Sequence, residues 1–460
     1  MKKELRLFFF FLIVVGFVIG MGIFRTPVNV AAASPTPFVF YACWLAGGLV
    51  ALSGALTYAE IGSRLPATGG YYKVFAQVYH PSIAFAINCI ILVSNAASLA
   101  AVALVGSEYF VSVIIPAAKN AAYISIPSNA SHIKTMQVVV AIVCIIIFYL
   151  INLLGLKMSS KTQNVLMLIK IGLLLMLISP LFFLGDADAA TSVTTSITKS
   201  ISPTLMEYIK AFGVGLVAVS FTYGGYQQTI NFGEEVKNPN RNIPRGIFFA
   251  IALIITLYML VNYAYVKVIG FDELKTSKNI AAIMASKIFG PRADIVLSVL
   301  LFLEVLAYIN GSLLSNPRVM YAMSKDQILP SPFTKQNSNG ALTLALSVFA
   351  GIAVIVVFWV EEFDRILSFT IFLDCFGMAL SAASIFVLRK RTKNLDGTGI
   401  YKMKLYPLLP VIFIINYLFV AIAIAMDYEE NKYAALKGLS VLAAFIVIYF
   451  IFYRHKKIRK

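Results

Sequence analysis

The chain has 460 residues, of which 60% are hydrophobic and 13% charged, with a formal net charge of +17. Soluble domains carry roughly a quarter charged residues, so the composition excludes a soluble enzyme and points to a membrane-spanning chain. The basic residues fall between apolar runs, which argues for membrane topology and against nucleic-acid binding.

A spanning helix needs about 20 apolar residues, and twelve such segments can be read along the chain. The first, 7–31, carries Gly16, Gly20 and Gly22, then Arg25, Thr26 and Pro27. Glycine weakens a helix interior by about 1 kcal/mol, so Gly20-Met21-Gly22 predicts an interrupted helix. Lys2, Lys3, the apolar run and Ala31, Ala32 and Ala33 also have the pattern of a cleaved secretory signal. An uncleaved first span is the preferred reading. Segments 38–63, 83–113 and 135–154 follow, the second span ending near Glu60. The fifth, 163–184, holds Lys170 within apolar sequence. The sixth, 205–233, carries a second glycine pair, Gly224-Gly225, in mid-span. Segment 243–268 is followed by 293–322, which places Glu304 on one helical face with Tyr308, Gly311, Ser312 and Ser315. The last four are 342–358, 364–388 with Asp374, 405–426 and 434–453.

An even number of spans puts both termini on one side. Lys and Arg concentrate there, in Arg389, Lys390, Arg391, Lys393, Lys402 and Lys404 and in the tail from Arg454. The positive-inside rule then predicts cytoplasmic termini and a multi-pass protein of the cell (plasma) membrane. Between spans 6 and 7, Glu234 and Glu235 lie close to Lys237, Arg241 and Arg245, which suits either an inner salt-bridge network that holds the inward gate closed or a solvated loop. Glu60 is expected to anchor the inner loop, and Arg25 to shape the outer vestibule or meet headgroups.

The two glycine pairs lie about 200 residues and five spans apart. That spacing predicts an inverted repeat, with residues 1–190 as the first half, 200–390 as the second, and 391–460 as two further spans and a basic tail. Interrupted helices at matching positions are the best sequence pointer to a transporter site at the bilayer midplane. A break bares N–H groups on one half-helix and carbonyls on the other. The former suit a carboxylate and the latter an ammonium, and an α-amino acid carries both.

Ionisable residues at membrane depth are functional candidates by default. Lys170 exchanges a proton during transport, stands as a permanent ammonium that props the unwound part of helix 1, or is a plain lysine that snorkels to the interface. Glu304 and Asp374 pair with a cationic side chain, carry a proton, or neutralise Lys170. The four cysteines, Cys43, Cys89, Cys144 and Cys375, fall in apolar stretches without disulfide or zinc spacing. No metal and no cofactor is expected. Neither a Walker A motif nor a nucleophile–base constellation is present, so no enzyme is expected.

Several motifs together resemble the amino acid–polyamine–organocation (APC) superfamily, nearest to its L-type amino acid transporter-like branch. They are Gly20-Met21-Gly22-Ile23-Phe24, Tyr58-Ala59-Glu60-Ile61-Gly62 with Leu65-Pro66-Ala67-Thr68-Gly69-Gly70, Phe221-Thr222-Tyr223-Gly224-Gly225, Glu234-Glu235-Val236-Lys237-Asn238-Pro239, and the stretch 318–330. The resemblance runs over nearly the whole chain. It implies an all-α integral membrane fold, the LeuT-type 5+5 inverted repeat with twelve transmembrane helices. It implies that Met21, Gly22 and Ile23, beside Gly20, offer N–H groups to the substrate carboxylate. Carbonyls of Ile19, Phe221 and Tyr223, beside Gly224, would meet the ammonium. Phe221 would close over the substrate, and Gln227 and Asp374 would face its side chain. Lys170 would stand where sodium-coupled relatives hold a cation, which implies sodium independence.

The expected function is a secondary active amino acid transporter working by alternating access, either a sodium-independent exchanger or a proton-coupled symporter. Its partners would be the amino acid and membrane lipid. The alternatives are a polyamine or organic-cation permease, which Glu304 and Asp374 favour, and a membrane sensor that binds an amino acid without moving it.

Overall fold

The computed structural model describes residues 5–120, 130–183, 204–277, 280–290, 293–359, 363–396, 399–426 and 434–453. Among these the chain is helical, with two isolated β-bridges and no strand. The helices are α1 (Leu7–Val18), α2 (Gly22–Ala33), α3 (Pro37–Arg64), α4 (Gly70–Val78), α5 (Pro81–Asn120), α6 (Ala130–Leu153), α7 (Leu156–Ile178) and α8 (Pro180–Phe183). They continue as α9 (Leu205–Thr222), α10 (Pro239–Ile269), α11 (Phe271–Thr276), α12 (Ile280–Phe289) and α13 (Ala293–Lys325). The last are α14 (Thr343–Trp359), α15 (Phe363–Arg391), α16 (Leu408–Met426) and α17 (Ala434–Tyr453).

Eight of these helices are long and apolar enough to cross a bilayer. The count is nine if α1 and α2, bent by 43° at their break, form one span, and α14 and α17 are shorter apolar helices. The helix ends agree with the apolar segments to within a few residues in most cases. Three segments differ, the first being 83–113, which runs on as helix to Asn120. Segment 205–233 is helical only to Thr222 and resumes as a 3-10 helix, Tyr226–Asn231. Segment 163–184 starts earlier, at Leu156, and breaks before Pro180. The short helices α4, α11 and α12 were not read as elements, because none holds enough apolar residues for a span.

Local signals start and stop the helices. Thr36 caps α3, accepting from the Val39 N–H at 3.4 Å, with Pro37 as the first helical residue. The outward side of the bundle is apolar. On α6, Val139, Val143, Ile146, Ile147 and Leu150 form an exposed stripe at helical spacing, the pattern of a lipid-facing surface. The inward side packs α3 against α9 and α10, α13 against α5 and α7, and α1 against α7 and α10.

At the end rich in Lys and Arg, the helices are tied by buried charge. Glu60 is fully buried and accepts from Arg64 Nε at 2.7 Å, Arg389 Nε at 2.8 Å, Arg389 Nη2 at 2.7 Å and the Met403 N–H at 2.9 Å. It thus holds the segment after α15 to the end of α3, the anchoring role expected of it. Arg64 extends the network to Asp396 at 2.8 Å, and Lys402 reaches the same carboxylate at 3.1 Å. Hydrogen bonds from Arg64 and Lys402 hold the Asp396 carboxyl below its usual range. The expected network around Glu235 needs correction. Its partner is Arg318 of α13, at 2.9 and 3.1 Å, instead of Lys237, Arg241 or Arg245. Glu234 accepts from the Thr68 hydroxyl at 3.0 Å. Burial favours Arg318, because a desolvated carboxylate needs a fixed bidentate partner more than a solvated nearby charge.

Removing one member of a buried ion pair costs about 3–5 kcal/mol. Glu60→Ala removes a buried acceptor from two guanidinium groups and an amide at once. It is expected to lower the thermal unfolding midpoint in detergent more than Asp396→Ala does. Equal small shifts for both variants would show that the Glu60 network does not hold the helices.

Candidate functional site

Two helix interruptions meet inside the bundle. The first is Ile19, Gly20 and Met21 between α1 and α2. The second is Tyr223, Gly224 and Gly225 after α9. They touch main chain to main chain: a Cβ built on Gly225 falls 2.1 Å from the Phe17 carbonyl oxygen, and Gly225 has φ +111°. Only glycine fits such a position. Gly22 is nearly as confined, since its Cβ would lie 2.9 Å from Thr222 Oγ1 and 3.2 Å from Thr222 Cα. The start of α2 therefore abuts the end of α9.

This junction leaves main-chain groups open. Among the described residues, the N–H groups of Met21, Gly22 and Ile23 make no hydrogen bond. The carbonyls of Thr222, Tyr223 and Gly224 likewise accept none there. The first set carries the positive end of a helix dipole and the second the negative end. A zwitterion matches that arrangement.

The carbonyl end of α1 is already engaged. Lys170 Nζ of α7 donates to the Ile19 carbonyl at 2.7 Å and lies 3.0 Å from Glu304 Oε1 of α13. Lys170 and Glu304 are both about 1% exposed. The Tyr258 hydroxyl of α10 donates to the Val18 carbonyl at 3.1 Å. A carbonyl has two lone pairs, so Ile19 keeps one acceptor site. Two threonines brace the junction, with Thr222 Oγ1 donating to Thr26 Oγ1 at 2.9 Å.

Gln227 and Asp374 share one cavity, next to the second break and lined also by Tyr71, Asn95, Asn231 and Asn316. Its volume is about 20 Å³, room for roughly one water. Gln227 Oε1 accepts from the Gly225 N–H at 2.9 Å, so this side chain joins the break to the cavity. Asp374 has one weak contact, from the Ser94 hydroxyl at 3.5 Å.

Of the residues singled out from sequence, Ile19, Gly20, Met21, Gly22, Ile23, Tyr223 and Gly224 thus lie at the junction. Lys170 and Glu304 are paired against it, and Gln227 and Asp374 face the neighbouring cavity. Phe221 lies in the last turn of α9, but its side chain is outside the described residues. The Tyr223 ring turns away from the junction. It packs at 5.1 Å from Tyr258 and 6.1 Å from Trp44, and its hydroxyl has no hydrogen-bond partner among the described residues. Tyr258, Thr26 and Asn231 were missed. Tyr258 sits in an unbroken apolar run and carries no sequence signal. Asn231, three residues after Gln228, accepts from the Tyr71 N–H at 3.0 Å and donates to Ser315 Oγ at 3.1 Å.

Among the described residues no group of His, Cys, Asp and Glu is arranged to hold a metal. The family model described as "Amino acid permease" matches residues 5–453. The serine/threonine exchanger SteT of Bacillus subtilis is 28% identical over 425 residues, 91% of this chain and 90% of that protein. The human large neutral amino acids transporter small subunit 2 is 23% identical, covering 99% of this chain and 82% of its own length. The mouse b(0,+)-type amino acid transporter 1 is 25% identical, covering 99% and 89%.

Proposed function

Because the chain belongs to the amino acid permease family of the APC superfamily, we propose that it is a sodium-independent amino acid exchanger working by alternating access. The observation that carries this reading is the junction of the two breaks. Unbonded N–H groups at the start of α2 stand against unbonded carbonyls at the end of α9. In this reading the substrate carboxylate takes the amides of Met21, Gly22 and Ile23. The ammonium takes the carbonyls of Phe221 and Tyr223 and the spare lone pair of Ile19. Irregular backbone at this depth is tolerated only where it lines a cavity or is buried in protein. The names of the relatives, two transporters and one exchanger of amino acids, support the same class.

The reading includes twelve spans in a LeuT-type 5+5 inverted repeat, with halves at 1–190 and 200–390 and both termini in the cytoplasm. The two breaks support it, because each falls in the first span of its half. Lys170 supports sodium independence. Its ammonium already sits between the first break and α13, bonded to Ile19 and paired with Glu304. In the contracted state described here the side-chain cavity is too small for an amino acid, so loading requires a bundle to rock.

The test is counterflow in proteoliposomes loaded with one labelled amino acid. Efflux is expected only when an amino acid is added outside, at equal rates in sodium and choline media. Efflux without an external amino acid, or only with sodium, would overturn exchange. Ligand binding without any flux would replace the carrier by a sensor.

A further inference from the structure

Among the described residues, three fully buried carboxylates and one partly buried one lie within the bundle or at its basic end. Glu60 is held by Arg64 and Arg389, Glu235 by Arg318, and Glu304 by Lys170. Asp374 is the exception. It lies mid-way along α15, and among the described residues its one hydrogen bond is from Ser94 Oγ at 3.5 Å, the outer limit of such a contact. No cationic side chain pairs with it there. Its residual exposure is to the cavity that begins at Gln227, two residues beyond the second break.

The other polar groups of that cavity are mostly committed to one another. Asn95 donates to Asn316 at 2.6 Å, and Asn316 donates to the Ser312 carbonyl at 2.9 Å. Asn231 is held by Tyr71 and Ser315, and Gln227 accepts from Gly225. The unused hydrogen-bonding capacity among the described residues lies on the Asp374 carboxylate, which accepts through both oxygens when ionised, and on the Gln227 Nε2 and Gln228 amide groups beside it. An isolated ionised carboxylate in a low-dielectric core is costly, so a cation entering beside it is favoured over a neutral group.

Charge bookkeeping gives the same direction. Among the described residues, the Asp, Glu, Lys and Arg side chains deep in the bundle are Lys170, Glu304 and Asp374. Lys170 and Glu304 pair with each other, which leaves Asp374 without a cation of its own among the described residues. A zwitterion with a neutral side chain leaves it so, whereas a basic side chain supplies the missing partner.

We infer that the cavity behind the second break is the side-chain subsite for a basic amino acid, with Asp374 as counter-ion to its ammonium or guanidinium group. The inference rests on the proposed substrate site at the breaks, which would hold the α-carboxylate and α-amino group. A polyamine satisfies Asp374 but has no carboxylate for the open amides of α2. The cavity is contracted here, so the side chain enters as the bundle opens.

The test measures counterflow of arginine, lysine, leucine, serine and putrescine by the full-length protein in proteoliposomes. Arginine and lysine are expected to be exchanged with at least about tenfold higher efficiency than leucine, the scale of one charge-assisted hydrogen-bonded pair. Asp374→Asn should cost arginine at least about ten times more than it costs leucine, and Asp374→Glu should restore part of the difference. Folding is checked separately by the thermal unfolding midpoint of each variant. A wild-type protein that exchanges leucine or serine but not arginine overturns this inference and leaves the exchanger reading intact. So does an Asp374→Asn variant that loses all substrates equally, or none. Exchange of putrescine alone, or of no amino acid at all, overturns both.

Discussion

Lys170→Met is expected to reduce exchange by about a hundredfold or more, and to lower stability. The substitution removes the ammonium from Ile19 and strands Glu304, which has no other hydrogen-bond partner among the described residues. Stranding one partner of a fully buried pair costs about 3–5 kcal/mol, equal to more than a hundredfold in an equilibrium constant. The double variant Lys170→Met/Glu304→Leu separates the two consequences. Removing both charges together is expected to recover most of the thermal stability, because replacing a buried pair by apolar residues is often neutral. Exchange is expected to stay lost, because the carbonyl at the first break still lacks its ammonium. The measurements are the unfolding midpoint in detergent and counterflow in proteoliposomes. Wild-type counterflow in either variant would remove Lys170 from the mechanism. Lost stability in the double variant would make the pair purely architectural.

Gly225→Ala is expected to abolish substrate binding. An alanine at φ +111° is strained, and its Cβ would fall 2.1 Å from the Phe17 carbonyl oxygen. Strain of that kind costs about 1–3 kcal/mol before any clash is relieved. Relief requires the two main chains to separate, since the obstructing atom is backbone and has no rotamer to change. Gly22→Ala meets the side chain of Thr222 at 2.9 Å and is expected to do less damage. Gly172→Ala, with nothing within 4 Å of the new methyl, is the control and should bind normally. The readout is ligand-dependent thermal stabilisation together with counterflow. Normal binding by Gly225→Ala would disconnect the junction from the substrate.

How much of this was legible depends on whether the signal is local. The interruptions were legible, because glycine acts on its own backbone and two pairs at matching positions reinforce one another. Lys170, Glu304 and Asp374 stood out as charges in apolar runs. The pairing of Lys170 with Glu304 was one of several open readings, since it joins helices far apart in the chain. Arg318 as the partner of Glu235 was hidden by nearer cations in the 237–245 stretch. Tyr258 was invisible, because a tyrosine in an apolar run looks like core until its hydroxyl is seen to reach Val18. The Tyr223 side chain packs away from the junction, which no spacing rule foretells. Helices α4, α11 and α12 escaped because span detection by hydropathy ignores short pieces.

The clamp proposed for the α-groups consists of amides and carbonyls, not of side chains. Main-chain atoms are the same whatever residue is encoded, so ordinary point mutation leaves their chemistry untouched. Only a change of shape, as at Gly22 or Gly225, can spoil them. Evolution is therefore free to retune what the carrier accepts by altering Asp374, Gln227 or their neighbours, while the handle common to every amino acid stays fixed. A lineage built on this plan would diversify in diet without reinventing its grip.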